Sequence, residues 1–222
     1  DYLSSAAAKK MLALGYKNLA VCDPDEKKLN AVLEFGNFTL YKNIKTALAK
    51  ERPEIVFVCN PTHLHVPTAS LALDAGAHVF IEKPLSHNLV GVDALIKKAK
   101  AKKRVVMVAC NYRFHHGFKN FCSEVKRNKF GKPILITVTM GYYLPTARPN
   151  ANYKKIYAAG KRGGGVVLDS GSHAADYLSA VFGPIKNSTI VKSKLHSINT
   201  KSEEAAIVTL EHENGTISTL VM

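Results

Sequence analysis

The sequence lacks several features that would direct it to a membrane, to the cell exterior or to a metal. None of its apolar runs approaches the roughly 20 residues that span a bilayer, and its N-terminus has no signal-peptide pattern. Its four cysteines form no C-x-x-C pair, and its nine histidines show no ligand spacing with cysteines or carboxylates. We therefore predict a cytoplasmic protein with reduced cysteines, no metal site and no membrane partner.

Acidic residues are also scarce: 17 Asp and Glu stand against 31 Lys and Arg, giving a formal net charge of +14. A dense basic run, 97–104, lies at the end of a predicted helix, where cations suit the negative end of the helix dipole. No zinc-finger spacing or basic–aromatic signature accompanies it, so we predict a solvated basic face and no nucleic-acid partner. Such charge could also steer a phosphate-bearing substrate.

Short apolar runs alternate with helical patterns over the first half of the chain. Strands are predicted at 19–23, 38–41, 55–59, 78–82 and 105–110, and helices at 4–14, 25–35, 43–51, 65–75 and 85–103. Strands that alternate with helices in this way predict a parallel sheet with right-handed crossovers. The first half is therefore predicted to be an α/β domain.

The pattern changes near residue 112. An amphipathic helix to about residue 128 and a strand at 134–140 precede a long polar loop, 143–162. A central helix that ends at Gly183-Pro184 is followed by predicted strands near 187–198, 204–212 and 215–222, the last two joined by an Asn214-Gly215 turn. We therefore divide the chain into an α/β domain, 1–111, and an α+β domain, 112–222.

Polar residues stand at the carboxyl ends of the predicted parallel strands, where ligands bind in open α/β sheets. Asp23 ends the first of them and could bind the adenosine ribose of a dinucleotide. No Arg follows it to hold a 2′-phosphate, which favours NAD over NADP, although Asp23 could equally belong to a turn. Asn60-Pro61-Thr62-His63-Leu64-His65 ends another strand, and Glu82-Lys83-Pro84 the next.

Three consecutive glycines, 163–165, lead into a segment in which Asp169, His173 and Asp176 are spaced i, i+4 and i+7. On an α-helix this spacing places all three side chains on one face. A carboxylate near an imidazole can orient the ring and stabilise its protonated form, as proton transfer requires. The alternative is a helix N-terminus with acids near its positive end and a histidine satisfied by packing. Spacing alone does not separate the two.

Together, the 60–65 turn, Glu82-Lys83-Pro84 and the Gly-rich Asp/His helix resemble the Gfo/Idh/MocA family of nicotinamide-dependent oxidoreductases over essentially the whole chain. The resemblance implies a Rossmann domain followed by an open-faced mixed-sheet domain, NAD or NADP as cofactor, and homo-oligomers of the intact protein. It implies hydride transfer to or from a hydroxyl-bearing carbon of a sugar, cyclitol or sugar nucleotide. The implied catalytic residues are Lys83, Asp169 and His173; the implied cofactor-binding residues are Asp23, Asn60, Pro61, Thr62, His65, Glu82, Lys83 and Asn111; and the implied substrate-binding residues are Tyr112, Arg113, Arg148 and Tyr153.

The chain departs from the family pattern in having no G-x-G-x-x-G loop before its first predicted helix. We therefore expect a copy truncated at both ends, in which the Rossmann domain lacks its first strand and phosphate-binding loop and cofactor binding is impaired. An alternative function is a catalytically silent protein that senses a nucleotide or sugar. Retention of Lys83, Asp169 and His173 together favours the enzyme.

Overall fold

The computed structural model describes residues 2–147, 152–155, 164–193, 195 and 197–222. The chain divides into two compact units. The first comprises Asp1–Asn60, Leu64–Glu82 and Leu89–Met107, and the second comprises Pro61–His63, Lys83–Asn88 and Val108–Met222.

The first unit alternates strands and helices, as the sequence predicts. In chain order its elements are α1 Tyr2–Ala13, β1 Ala20–Cys22, α2 Glu26–Val32, β2 Thr39–Tyr41, α3 Ile44–Glu51, β3 Ile55–Val58, α4 His65–Asp74, β4 His78–Ile81, α5 Val92–Ala101 and β5 Val106–Val108. The strands form two sheets, a parallel pair β1-β2 and a three-stranded sheet of order β3-β4-β5 in which β3 and β4 are parallel. The predicted parallel α/β organisation is therefore confirmed.

Helix α4 forms the centre of this unit because small and branched apolar residues lie on its inner face. Ala69 and Leu73 are fully buried, and α4 contacts β3, β4 and α5. Val79 and Ile81, on one face of β4, are buried as well. This arrangement fixes the carboxyl ends of β3 and β4, which the candidate site residues follow directly.

One helix boundary differs clearly from the prediction. We expected a helix from Leu85, but α5 begins at Val92. Gly91 precedes it with a left-handed φ of +78°, which an α-helix cannot contain, and a Cβ at this position would lie 3.1 Å from Val66 Cγ1. Residues 84–91 therefore form irregular chain after Lys83.

The second unit combines α-helices with one mixed sheet. Its elements are α6 His116–Lys126, β6 Leu135–Thr139, α7 Leu144–Ala147, a π-helical turn Val167–Gly171, α8 Ser172–Phe182, β7 Ile185–Lys192, β8 Ala206–His212 and β9 Ile217–Val221. The strand order is β6-β9-β8-β7, with β6 parallel to β9 and the other pairs antiparallel. The predicted mixed-sheet organisation is confirmed, although β7 ends at Lys192 and not near residue 198.

The sheet buries one face against α8. Residues of β8 alternate between buried and exposed, so every second side chain points to the helix. The apolar core they form contains Ala174, Leu178, Phe182, Val208, Leu210 and Leu220. Because α8 is held along its length by this core, the polar residues at its N-terminal end occupy defined positions.

Among the described residues, no helix is both long and apolar enough to cross a membrane.

Candidate active site

Lys83 and Asp169 form an ion pair within the second unit, although they are 86 positions apart in the sequence. Lys83 Nζ lies 2.7 Å from Asp169 Oδ1 and donates a second hydrogen bond of 2.9 Å to the Asp169 carbonyl oxygen. Both side chains are largely removed from solvent, with 13% and 10% of their surfaces exposed. Two opposite charges this poorly hydrated stabilise each other only while both remain in place.

The other oxygen of the Asp169 carboxylate accepts a hydrogen bond from the Tyr142 hydroxyl. Tyr142 follows β6 after a short connection that contains Gly141. Both carboxylate oxygens are thus engaged, one by a cation and one by a phenol. The sequence does not point to Tyr142, because nothing in its local pattern distinguishes it from the neighbouring Tyr143.

Gly165 has a specific structural role in the triple-glycine stretch. Its φ of +92° lies in the left-handed region, and a Cβ there would lie 2.5 Å from Glu203 Oε1. Glu203 satisfies two backbone donors of the following turn: its carbonyl oxygen accepts from Val166 N–H at 3.3 Å and its Oε1 from Val167 N–H at 3.4 Å. Glu203 therefore fixes the start of the turn that carries Asp169, and no pattern in the sequence points to it either. Gly163 lies outside the described residues.

The three polar residues predicted on one α-helical face do not lie on one regular α-helix. Asp169 lies in the π-helical turn and only 7% of it is exposed, whereas His173 and Asp176 belong to α8. A π-helical turn holds more residues than an α-helical turn, so the i, i+4 relation of Asp169 to His173 is altered. Asp176 pairs with Arg113, whose Nη2 and Nε lie 2.7 Å from Asp176 Oδ1 and Oδ2, respectively. The prediction of one continuous α-helix through all three residues is therefore wrong.

In the sequence, His173 lies between Asp169 and Asp176, the acidic members of the two ion pairs. Its ring contacts Tyr112, with centroids 4.5 Å apart and planes inclined by 44°, and neither ring nitrogen is hydrogen-bonded to a described residue. Partial burial and, next, the positive charge of Lys83 lower the pKa of His173, against smaller opposing effects of Asp169 and Asp176. Its imidazole is accordingly neutral near pH 7 and can accept a proton.

Two residues of the first unit suit a dinucleotide. The carboxylate of Asp23, just after β1, accepts a hydrogen bond of 2.9 Å from Asp25 N–H and lies 3.9 Å from Lys28 Nζ. Asn60, after β3, donates from Nδ2 to Thr68 at 2.8 Å, but its Oδ1 is buried and has no hydrogen-bond partner among the described residues. A buried acceptor without a donor is costly unless a ligand supplies one, so these residues fit a cofactor with ribose hydroxyls and an amide.

The remaining predicted cofactor-binding residues follow β3, β4 and β5 along the chain. Thr62 and His65 are buried, and a ring nitrogen of His65 lies 2.8 Å from the Asn60 carbonyl oxygen. Pro61 directly precedes Thr62, Glu82 N–H donates to the Val58 carbonyl oxygen, and Asn111 begins a 3₁₀ turn.

Burial and, next, the charge of Glu82 raise the pKa of Cys59 to about 11, so this thiol is not a nucleophile near neutral pH.

The predicted substrate-binding residues occupy varied positions. Tyr112 and Arg113 lie in the turn beside α8, in contact with His173 and Asp176 respectively. The Tyr153 hydroxyl donates to the Ile198 carbonyl oxygen at 3.1 Å. Arg148 lies outside the described residues.

One unit is a parallel α/β unit with polar residues after its strands, and the other is a mixed-sheet unit with a lysine, a carboxylate and a neutral histidine. This combination is the one expected of a nucleotide-dependent oxidoreductase. Two family models match the chain. The oxidoreductase family model with an NAD-binding Rossmann fold covers residues 3–110, and the GFO/IDH/MocA C-terminal domain covers residues 121–222. The chain belongs to the Gfo/Idh/MocA oxidoreductase family, as its motifs predicted.

Individual relatives agree with this assignment. The chain is 29% identical over 165 residues to myo-inositol 2-dehydrogenase of Thermotoga maritima, covering 74% of this chain and 47% of that protein. The chain thus spans about half the length of this relative.

Solved structures of the same fold include complexes with a nicotinamide cofactor. An Agrobacterium radiobacter oxidoreductase with NAD⁺, L-tartaric acid and magnesium has a TM-score of 0.83 and 20% identity, covering 98% of this chain and 63% of its own. The WlbA dehydrogenase of Bordetella pertussis, with NADH and UDP-GlcNAcA, has a TM-score of 0.78 and 19% identity. The match covers 92% of this chain and 63% of the WlbA chain.

Proposed function

We propose that this chain is the catalytic portion of an NAD-dependent dehydrogenase that acts on a hydroxyl-bearing carbon of a sugar, cyclitol or sugar nucleotide. The observation that carries the proposal is the buried Lys83–Asp169 pair beside a histidine whose pKa is lowered by burial and by Lys83. A neutral base and a fixed cation are what oxidation of an alcohol requires of a protein.

Within this proposal, residues 1–111 hold the cofactor and residues 112–222 the substrate. Asp23 binds ribose hydroxyls, and the buried Asn60 Oδ1 accepts from an amide. Pro61, Thr62, His65, Glu82 and Asn111 complete the proposed set of cofactor-binding residues. When bound, the nicotinamide accepts or returns the hydride. The carboxylate of Asp23 would repel a 2′-phosphate, so we propose NAD as the preferred cofactor.

The protein's own groups handle the proton. His173 in its neutral form accepts the substrate hydroxyl proton, and Lys83 stabilises the negative charge that develops on that oxygen. Asp169 holds Lys83 Nζ at 2.7 Å and so fixes the position of the cation. Tyr112, Arg113, Arg148 and Tyr153 are proposed to contact the rest of the substrate.

The test follows formation of reduced nicotinamide from NAD⁺ with myo-inositol or a neutral glucoside. Loss of a general base lowers turnover by about 10²–10⁴-fold, so His173→Gln is expected to reduce turnover within that range. The matched control is His116→Gln, which removes an exposed histidine at the start of α6. Equal turnover of the wild type and His173→Gln would overturn the assignment of the base.

The cofactor preference has a separate readout. Titration of nicotinamide fluorescence with NADH and NADPH is expected to show tighter binding of NADH, and Asp23→Asn is expected to reduce that difference. Tighter binding of NADPH by the wild-type chain would refute the proposed preference.

A further inference from the structure

Tyr142 lies between two regular segments of the second unit. It follows β6 after Met140 and Gly141; Met140 N–H donates to the Val221 carbonyl oxygen at 3.0 Å, and the Met140 side chain packs against the apolar core. Helix α7 begins two residues after Tyr142, at Leu144. Because the backbone is held on both sides, the phenol of Tyr142 can reach only a limited set of positions.

Tyr142 contacts Asp169 through its hydroxyl and not through burial of its ring. Tyr142 is 54% exposed, yet its hydroxyl donates to Asp169 Oδ2, in a side chain that is only 10% exposed. The neighbouring Tyr143 is 63% exposed, and its hydroxyl forms no hydrogen bond with a described residue. The two adjacent tyrosines therefore differ in one contact, the hydrogen bond to a poorly hydrated carboxylate.

The Asp169 carboxylate divides its oxygens between Tyr142 and Lys83. Lys83 Nζ lies 2.7 Å from Oδ1 and 2.9 Å from the Asp169 carbonyl oxygen. A hydrogen bond from a phenol withdraws negative charge from a carboxylate and restricts its rotation. Tyr142 thus keeps Oδ1 directed to Lys83 and weakens the negative field that Asp169 exerts on neighbouring groups.

We propose that Tyr142 is a positioning residue for the proposed reaction, acting on Lys83 and His173 through the Asp169 carboxylate. This inference rests on the proposed function, because it assigns a further role in the same site. Lys83 must keep enough uncompensated charge to stabilise a negative oxygen, and a carboxylate with both oxygens directed to the ammonium would offset more of that charge. A fixed supporting group also holds the cation in the position that turnover requires.

The titration of His173 reports on this coupling without a requirement for turnover. The charged groups that act on His173, directly or through an ion pair, are Lys83, Asp169, Asp176 and Arg113, and its ring contacts Tyr112. Burial and, next, Lys83 lower the pKa of His173, whereas Asp169 opposes them. In Tyr142→Phe the carboxylate loses a donor, so its opposing effect grows and the pKa of His173 should rise toward 6.5.

NMR titration of the His173 ring in the full chain measures this response. The expected result is a higher pKa in Tyr142→Phe than in the wild type, and no change in the matched control Tyr143→Phe. In Asp169→Asn no carboxylate remains for Tyr142 to act on, so the addition of Tyr142→Phe to that variant should leave the pKa unchanged. An unchanged pKa in Tyr142→Phe, or an equal rise in the Asp169→Asn background, would overturn the inference.

Turnover of NAD⁺ provides the second readout. Tyr142→Phe is expected to lower kcat about tenfold, the value of one hydrogen bond to a charged group, and to leave KM for NAD⁺ unchanged. Tyr143→Phe should change neither. The acid limb of the kcat–pH profile should move to higher pH in Tyr142→Phe, together with the pKa of His173. A merely structural loss would scale the whole profile and leave that limb in place, which would contradict the proposed role.

The inference and the proposed function fail separately. If His173→Gln lowers turnover but Tyr142→Phe changes neither turnover nor the pKa of His173, the proposed function holds and the role of Tyr142 is wrong. If the pKa of His173 responds to Tyr142 but turnover does not depend on His173, the coupling through Asp169 holds and the enzymatic proposal is wrong.

Discussion

The two ion pairs near His173 have the same contact distance but different surroundings. Nitrogen and oxygen are 2.7 Å apart in both Lys83–Asp169 and Arg113–Asp176. The exposed fractions of the side chains are 13% and 10% in the first pair but 47% and 18% in the second. Geometry alone would rank the pairs as equal, whereas hydration assigns the first a much larger role in stability and electrostatics.

The chain segments that carry the two carboxylates differ as well. The turn of Asp169 is fixed by Glu203 and by Tyr142, so the carboxylate and its backbone are both constrained. Asp176 lies within the regular α8, and its partner Arg113 has 47% of its side chain exposed. The first region is organised around a buried charge, and the second around a solvated one.

Removal of the buried cation is expected to have the largest effect. Lys83→Met leaves the Asp169 carboxylate buried without its counter-ion, which costs about 3 kcal/mol in the free energy of unfolding. Urea denaturation measures this cost. In Lys83→Met/Asp169→Asn the unpaired charge is gone, so part of the stability should return. A cost for Lys83→Met as small as that of Arg113→Met would contradict the distinction between the pairs.

The next largest effect concerns the glycines at the two ends of the Asp/His helix. Gly165 and Gly183 have almost equal φ angles, +92° and +93°, but only at Gly165 would a Cβ meet a neighbour, Glu203 Oε1 at 2.5 Å. Gly183→Ala should cost about 1 kcal/mol from backbone strain, and Gly165→Ala about 2 kcal/mol because Glu203 must also move.

Thermal unfolding of the two glycine variants provides the measurement. Equal losses would mean that Glu203 does not constrain the Asp169 turn. Gly165→Ala/Glu203→Ala tests the same point differently, because removal of the carboxylate should make the added methyl less costly.

The fold was largely predictable from the sequence because apolar runs and helical patterns alternate clearly as far as residue 112. The start of α5 was not, since the helical pattern after Leu85 conceals the left-handed Gly91. At that position backbone conformation, not hydrophobicity, decides where the helix begins.

The candidate site was predictable only in part. Lys83, Asp169 and His173 were predicted from motif order. Tyr142, which donates to Asp169, and Glu203, which accepts from the backbone of the same turn, act through tertiary contacts that leave no periodic signal. The π-helical turn likewise cannot be read from i, i+4 spacing, which presupposes an α-helix. Tyr142 and Glu203 were therefore visible only in three dimensions.

The stability of the folded state should depend on pH through the lowered pKa of His173. Because its pKa is lowered from 6.5 in the folded state, the unfolded chain binds a proton more readily below that pH. The contribution of His173 to stability is therefore complete above about pH 6.5 and is lost as the pH falls through the folded-state pKa.

Thermal unfolding between acidic and neutral pH measures this effect, and His173→Gln should show a weaker pH dependence than the wild type. NMR titration adds a more direct readout: Lys83→Met should raise the pKa of His173, whereas Asp176→Asn should lower it slightly. A fall of the pKa in Lys83→Met would refute the role of that cation.

Loss of the exposed ion pair is expected to have the smallest effect. Arg113→Met removes a cation that is 47% exposed, and water can hydrate the Asp176 carboxylate that remains, so the free energy of unfolding should fall by less than about 1 kcal/mol. Because the pair is solvated, this difference should nearly vanish in concentrated salt, whereas the loss caused by Lys83→Met should persist. Urea denaturation of both variants at low and high ionic strength measures the contrast. A salt-independent loss for Arg113→Met would show that Asp176 is as poorly hydrated as Asp169, and the two regions would then share one electrostatic environment.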